Sequence, residues 1–517
     1  MTGAGSWSLL VAPIALPLAA GVLLLFAERV SPRVADALSL AAAIALAVLA
    51  AVLLRDADRG EIGVYLLGNW RAPFGIALAL DRLAALLLVV TAVLAVVALV
   101  VACSGWVDKG PHFHPFFQFQ LAGLNGAFLT ADLFNLFVFF ELLLVASYGL
   151  LLHGAGGRAL KSGYHYVVVN LAGSALFLVA ASLVYGLTGT LNFADLAQRL
   201  DVVTAADRGL VHAAILLLLA VFAIKAAVLP FGFWLPATYA AAPAPVAALF
   251  AVMTKVGIYA IVRTTTVLAG ADGGEVGRSA GGWLFAGGIA TVAAGTLGVL
   301  AAGRLKSLAA SLVVVSSGVL VAAVAGGNAG VLAGALYYLV HSTLAAALLF
   351  LLVEPIARLR GATGDRLRSA APMAHATPFG LAFVVAAMAI AGLPPLSGFV
   401  GKLFLLGATY GQPHFAWYWA AVLVSGLVAT IALARAGSRI FWKTRAADGG
   451  TAPAHVVGAE TLAIVVLVGA LVALAVDARA VERYARATAA QLGQPSAYVL
   501  AVLGARPVSA PRVVAPR

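Results

Sequence analysis

The stretch Ala37 to Leu54, ALSLAAAIALAVLAAVLL, is apolar apart from one serine. As a helix a run of that length covers about 27 Å, close to the roughly 30 Å of hydrocarbon in a bilayer. In lipid every backbone N–H and C=O must bond within the chain, so the stable solution for such a run is a membrane-crossing helix. Leu9 to Phe26 and Leu83 to Cys103 repeat the pattern, and roughly fourteen such runs succeed one another. Only 10% of the 517 residues are charged against 63% hydrophobic, whereas about a quarter of a soluble domain is charged. The chain is read as an all-α polytopic membrane protein. Its first run lacks a basic leader and is followed by another span, so a retained helix is expected rather than a signal peptide.

The net charge of +12 is spread through short loops, which argues for membrane topology rather than a nucleic-acid partner. With the spans numbered in order, the odd loops carry fifteen Lys and Arg, among them Arg29, Arg33, Arg158, Arg304, Arg358, Arg439 and Arg445. The even loops carry eight, including Arg278, and dilute them with acids such as Asp56, Asp58 and Glu61. The bias places the odd loops in the cytoplasm and the N-terminus outside. Six more arginines follow Asp477, on the wrong side of this bias if the span count is even. Either the tail is too far from the membrane to count, or the count is off by one.

The long polar connections are 55–82, 188–209 and 354–377. The last, with RLRGATGDRLR, reads as a basic, partly helical cytoplasmic loop, and the closing PVSAPRVVAPR, without periodicity, as disordered. Two spans are interrupted by proline near a cation. The seventh holds FAIKAAVLPFGFWLP, with Lys225 ahead of Pro230, and the twelfth AGLPPLSGFVGKLFLL, with Pro394 and Pro395 ahead of Lys402. Proline removes a donor and frees a carbonyl one turn earlier, and in lipid the freed groups must face protein or water. The breaks lie an odd number of spans apart, as in inverted repeats over spans 4–8 and 9–13, the pattern that points to a transport site near the midplane. Simple tolerated kinks are the alternative.

Glu141, Lys225, Lys255 and Lys402 lie deep within spans, where an isolated charge costs about 2.5–3.5 kcal/mol or more. Burial favours the neutral amine, the property a proton-exchanging lysine needs. One acid against three lysines fits a pair between Glu141 and one lysine, with the others neutral or hydrated. His341, mid-way through the eleventh span, is suited to link cations because imidazole both accepts and donates; a plain interhelical hydrogen bond is the other reading. Arg263 reaches the interface and receives no role, His153 and His212 read as interfacial, and Asp132 is expected to cap the fifth helix. The one cysteine, Cys103, excludes an intramolecular disulfide and a cysteine-only metal site, and reads as a small residue at a helix end. Nucleotide loops, zinc-type His/Cys spacings and hydrolase elbows are not found, so no cofactor is expected and ion movement is favoured over enzymatic chemistry.

NLFVFFELLLVASYGLL, LPFGFWLPATYAAAPAPVAALFAVMTKVGIYAIVR, HSTLAAALLFLL and GLPPLSGFVGKLFLL resemble the antiporter-like subunits shared by respiratory complex I and the multisubunit Mrp-type (Mnh, Pha) cation/proton antiporters. SGFVGK followed by ALARAGSRIFWK is most similar to MrpD, the D-type member of those antiporters. The resemblance implies fourteen core helices, with helices 1–3 over 1–110, a first repeat over 111–270, a second over 280–445, helix 14 over 455–478 and a tail over 479–517. It implies Glu141 paired with Lys225, Lys255 as the central lysine, His341 as a link and Lys402 as the terminal lysine. Ala345, Ala346 and Ala347 stand where many relatives carry a lysine, so the link would depend on His341 and water. Ser311, Leu312 and Ser317 also depart from the family pattern at the second-half entrance. The resemblance further implies a proton-translocating subunit of a Na+(K+)/H+ antiporter in a bacterial inner membrane, partnered by an A-type homologue and small membrane subunits. A pumping subunit of complex I or of a membrane-bound hydrogenase, and a non-transporting scaffold, are the alternatives.

Overall fold

A computed structural model describes residues 7–154, 156–268, 273–444 and 457–507. The side chains of Arg158 and Arg278, and also Arg445 and the tail from 508 expected to be disordered, lie outside the described residues. Helices follow the apolar runs. α1 (Ala12–Val30) and α2 (Pro32–Asp58) are joined by Ser31, with Pro32 at the first position of α2, where a missing N–H costs nothing. The next segment departs from the all-α expectation, since Gly63–Leu66 (β1) and Ala77–Leu80 (β2) pair antiparallel. α3 (Arg82–Ala102), α4 (Phe113–Leu129), α5 (Leu133–Leu152) and α6 (Gly157–Thr188) follow, then the short α7 (Phe193–Leu200). Asp132 caps α5 as expected, its carboxylate accepting from Asn135 N at 2.9 Å.

The following spans come in pieces: α8 (Arg208–Lys225) with α9 (Trp234–Ala241), and α10 (Ala244–Phe250) with α11 (Met253–Val267). After α12 (Gly273–Ala301), α13 (Leu305–Val324) and the long α14 (Ala329–Leu359), α15 (Ala376–Ala391) and α16 (Ser397–Thr409) form a second broken span. α17 (Phe415–Gly437), α18 (Gly458–Val476), α19 (Ala478–Leu492) and α20 (Pro495–Gly504) complete the fold, so the region expected as a tail from 479 holds helix up to Gly504. Among the described residues twelve helical segments are long and apolar enough to cross a membrane, which makes this a multi-pass membrane protein. The sequence count is higher because it includes α4, only 17 residues long, and the proline-divided span, whose halves have 16 and 13 residues.

α10, α11 and α14 are enclosed by other helices and α13 nearly so, while α1, α2, α6, α17 and α18 turn much of their surface outward. A polar group on an enclosed helix cannot snorkel to the headgroups, so it must find its partners inside the protein.

Contacts between loops fix which helix ends lie together. At one end Leu78 bridges Thr130 and Asp132 bridges Asn192. α19 docks at this end too, Gln491 accepting from Arg82 N at 3.0 Å and Tyr484 donating to Arg82 O at 2.9 Å. At the other end, the basic one, Arg304 bridges Arg366, Arg439 donates to Leu367 O at 3.1 Å, and Arg358 forks onto Glu460. Arg360 closes the basic loop by donating to the carbonyls of Gly364 and Arg366, both at 2.8 Å, and to that of Arg368. The alternation of ends therefore holds through α18, and Arg479, Arg483 and Arg486 lie on α19 at the end opposite the basic loops.

Arg263 is not an interfacial residue. It is 2% exposed and grips Asp81 with two nitrogens at 2.5 and 2.9 Å. Its Nε also donates to Tyr259 Oη at 3.2 Å, and its guanidinium lies 5.0 Å from the Tyr498 ring of α20. Asp81 also caps α3, so this one pair ties α3, α11 and α20 together. Arg263→Leu leaves Asp81 buried without its cation and is expected to destabilise the chain by about 3–5 kcal/mol. Thermal unfolding of the solubilised protein reads this; an unchanged midpoint contradicts it.

Candidate ion-translocation site

The first cluster is built by α5, α6 and α8. Asn170 and Ser174 stand one turn apart on α6 and face the end of α8. Lys225 Nζ lies 3.3 Å from Ser174 Oγ, 3.4 Å from Asn170 O and 3.5 Å from Asn170 Oδ1. Asn170 donates its own amide to Tyr166 O at 3.0 Å, which turns its side-chain carbonyl towards the ammonium. Ser174 also donates to Glu141 Oε1, so acid and lysine share one hydroxyl rather than meeting directly as expected. The reason is geometric: Lys225 closes α8 and reaches α6 first, while Glu141, half-buried on α5, approaches Ser174 from the other side. The Phe140 ring, 5.8 Å from the ammonium, adds a cation–π contact.

The break after Lys225 is held by protein groups, where carbonyls and water beside the lysine were expected. Ile224 O accepts from Trp234 Nε1 at 3.1 Å, Ala226 O accepts from Ser317 Oγ, and Leu229 N donates to Thr291 Oγ1 at 2.8 Å. Groups from α9, α13 and α12 thus replace the lost helical bonds. Gly257 of α11 lets two backbones close here, since a Cβ would stand 2.5 Å from Ala226 N and 2.8 Å from Lys225 C.

Lys255, on the enclosed α11, has no exposed surface. Its ammonium lies 3.2 Å from Thr254 Oγ1 and 3.4 Å from Ser316 Oγ. Ser316 and Ser317 are neighbours on α13, so one hydroxyl faces the central lysine and the next the break beyond Lys225. Among the described residues none of the three buried lysines forms an ion pair.

The second cluster lies around the α15–α16 break. His341 Nδ1 pairs with Ser397 Oγ, the first residue of α16, at 2.9 Å. Lys402 turns back to the last carbonyls of α15, with Nζ 2.6 Å from Ala391 O and 3.4 Å from Ile390 O. Those carbonyls are the negative end of a helix and, with α15 ended, have no helical partners, so they suit a cation. Gly398 permits the tight return, because a Cβ there would collide with Ala389 O and stand 2.9 Å from His341 Nε2. A cavity of about 30 Å³ joins Ser316, His341 and Lys402, with Leu312, Ala345 and Ala346 in its wall. That volume is about one water molecule's share of the liquid, and its polar rim supplies hydrogen bonds.

The polar groups thus run from Glu141 and Lys225 through Lys255 to His341 and Lys402, with hydroxyls between them. Sequence reasoning missed Asn170, Ser174, Thr291, Ser316 and Ser317. The pair Asn170/Ser174, polar residues at i and i+4 on an apolar helix, is the signal that was available.

The model of the transmembrane NADH:quinone oxidoreductase/Mrp antiporter family matches residues 130–431, the stretch that holds every group above. The chain belongs to this family. The D-type subunit of a probable K+/H+ antiporter from Rhizobium meliloti (strain 1021) is 44% identical over 530 residues, covering 96% of this chain and 98% of that protein. The D-type subunit of the Na+/H+ antiporter from Alkalihalophilus pseudofirmus is 34% identical, covering 96% of this chain and 99% of its own. A chain in the structure of the Mrp complex from Dietzia sp. DQ12-45-1b superposes with a TM-score of 0.85 at 28% identity, covering 97% of this chain and all of that one. In this family member α8 and α15–α16, the broken helices expected from Pro230, Pro394 and Pro395, each carry or face one of the buried lysines.

Proposed function

We propose that the chain is the D-type, proton-translocating subunit of a multisubunit monovalent cation/proton antiporter in a bacterial plasma (inner) membrane, a transporter rather than an enzyme. The observation that carries this is the row of buried ionisable groups joined by hydroxyls and a water-sized cavity across both broken helices. Protons pass between Glu141 and Lys225 through Ser174, on to Lys255, and by way of Ser316, the cavity and His341 to Lys402. Two inverted repeats, 111–270 and 280–445, each supply one break, which supports a two-half path. The basic end faces the cytoplasm, which leaves the N-terminus outside. The antiporter subunits named among its relatives support an A-type homologue and small membrane subunits as partners.

The test expresses the complete subunit set in a host lacking its main antiporters and follows the pH gradient of everted vesicles by fluorescence. Adding Na+ or K+ collapses the gradient only when this subunit is present. Co-purification with iron–sulfur and flavin subunits, together with no response to either cation, assigns the chain to the redox-driven branch instead.

A further inference from the structure

A second group of ligand-forming side chains lies at the basic end, away from the lysine row. Asp36 is near the start of α2, Cys103 caps α3, and His114 is the second residue of α4. One carboxylate oxygen, the Cys103 sulfur and one imidazole nitrogen all lie within 4.8 Å of one another. Donors around a common ion at bonds of about 2.0–2.3 Å stand no more than about 4.6 Å apart, so small side-chain adjustments bring all three onto one centre.

The arrangement is built rather than incidental. His114 is wholly buried, with Nε2 2.8 Å from Asp36 Oδ1, while its Nδ1 has no partner. A buried ring nitrogen without a partner is unfavourable, and a cation held jointly by the three side chains would relieve it. One turn deeper Gln118 donates to Ser39 O at 3.0 Å and to Ser39 Oγ at 3.1 Å, which fixes α4 against α2 just below the donors. The Phe113 ring packs edge-on against His114. The Asp36 side chain is 34% exposed, which gives an ion a way in.

We infer that Asp36, Cys103 and His114 form a binding site for a divalent ion of the Zn2+ class, with water completing the coordination. A thiolate, an imidazole and one carboxylate suit Zn2+ and disfavour Mg2+ or Ca2+, which take oxygen ligands. The same donor set is poor for Na+ or K+, so this site is separate from the transported cation. It ties the ends of α2, α3 and α4 together.

The test uses the purified full-length chain, stripped of metal, with Zn2+ affinity read by competition with a chromophoric chelator. Equimolar uptake is expected, with Co2+ as a probe giving a thiolate-to-cobalt charge-transfer band. Cys103→Ser removes that band, and Cys103→Ser or His114→Gln weakens Zn2+ binding by at least about tenfold. Zn2+ raises the thermal midpoint of the parent chain but not of the variants; the midpoints of the stripped proteins show that the variants fold. Equal Zn2+ affinity in the parent and the double variant, or a Co2+ complex without the thiolate band, overturns the site.

Discussion

Lys225→Ala is expected to bring cation-dependent proton movement down to the level of vesicles without the complex, with the subunit still assembled. The ammonium is 5% exposed and its neighbours, Asn170 and Ser174, are placed to solvate one cation at the end of α8. Alanine leaves those oxygens without an exchanging group, and no other lysine reaches them among the described residues. Glu141→Ala should match it, because Ser174 then has no anion to pass a proton to or from. The bridging hydroxyl predicts a graded third variant. Ser174→Ala removes about 0.5–1.5 kcal/mol of hydrogen bonding, which corresponds to roughly a two- to tenfold slower rate rather than a loss. Antiport rates in vesicles and subunit recovery by affinity pull-down are measured on the same preparations. Unchanged antiport in the lysine and glutamate variants sinks the assignment; lower complex yield at normal turnover per complex makes these charges structural.

The apolar runs made the bundle legible, because lipid leaves the backbone few solutions and prolines beside lysines mark where helices break. Glu141, Lys225, Lys255, His341 and Lys402 were legible for a related reason, since ionisable groups are conspicuous in apolar sequence. Their connections were not. Whether Lys225 meets Glu141 or Ser174 depends on the packing of α5, α6 and α8, and a serine in a small-residue helix carries no signal of its own. The groups that hold the Pro230 break come from α9, α12 and α13, up to 91 residues away along the chain. Arg263 was misread because depth was counted from its span end, whereas the docking of α20 buries that end. The Asp36–Cys103–His114 group escaped because its residues are spread over three helices with no ligand spacing between them.

Filling the cavity between Ser316 and His341 should slow translocation without dismantling the subunit. Ala346 stands in its wall, and Ala346→Leu adds three carbon atoms to a space of about 30 Å³. Water is then excluded, and Ser316, His341 and Lys402 lose the molecule through which their protons exchange. A barrier raised by about 1.4 kcal/mol gives a tenfold slower rate, and removal of the only link across this gap should exceed that. Overpacking costs about 1–3 kcal/mol on its own account, so the comparison variant is Ala346→Ser, which keeps the site small and wettable and should turn over at nearly the parent rate. His341→Ala separates ring from water: it enlarges the space but removes the imidazole that pairs with Ser397 at 2.9 Å. If water alone carries the proton, His341→Ala stays close to the parent; if the ring is an obligatory carrier, it falls as far as Ala346→Leu. Parent-like antiport in an assembled Ala346→Leu complex would remove the cavity from the path and require a route from Lys255 to Lys402 that avoids Ser316.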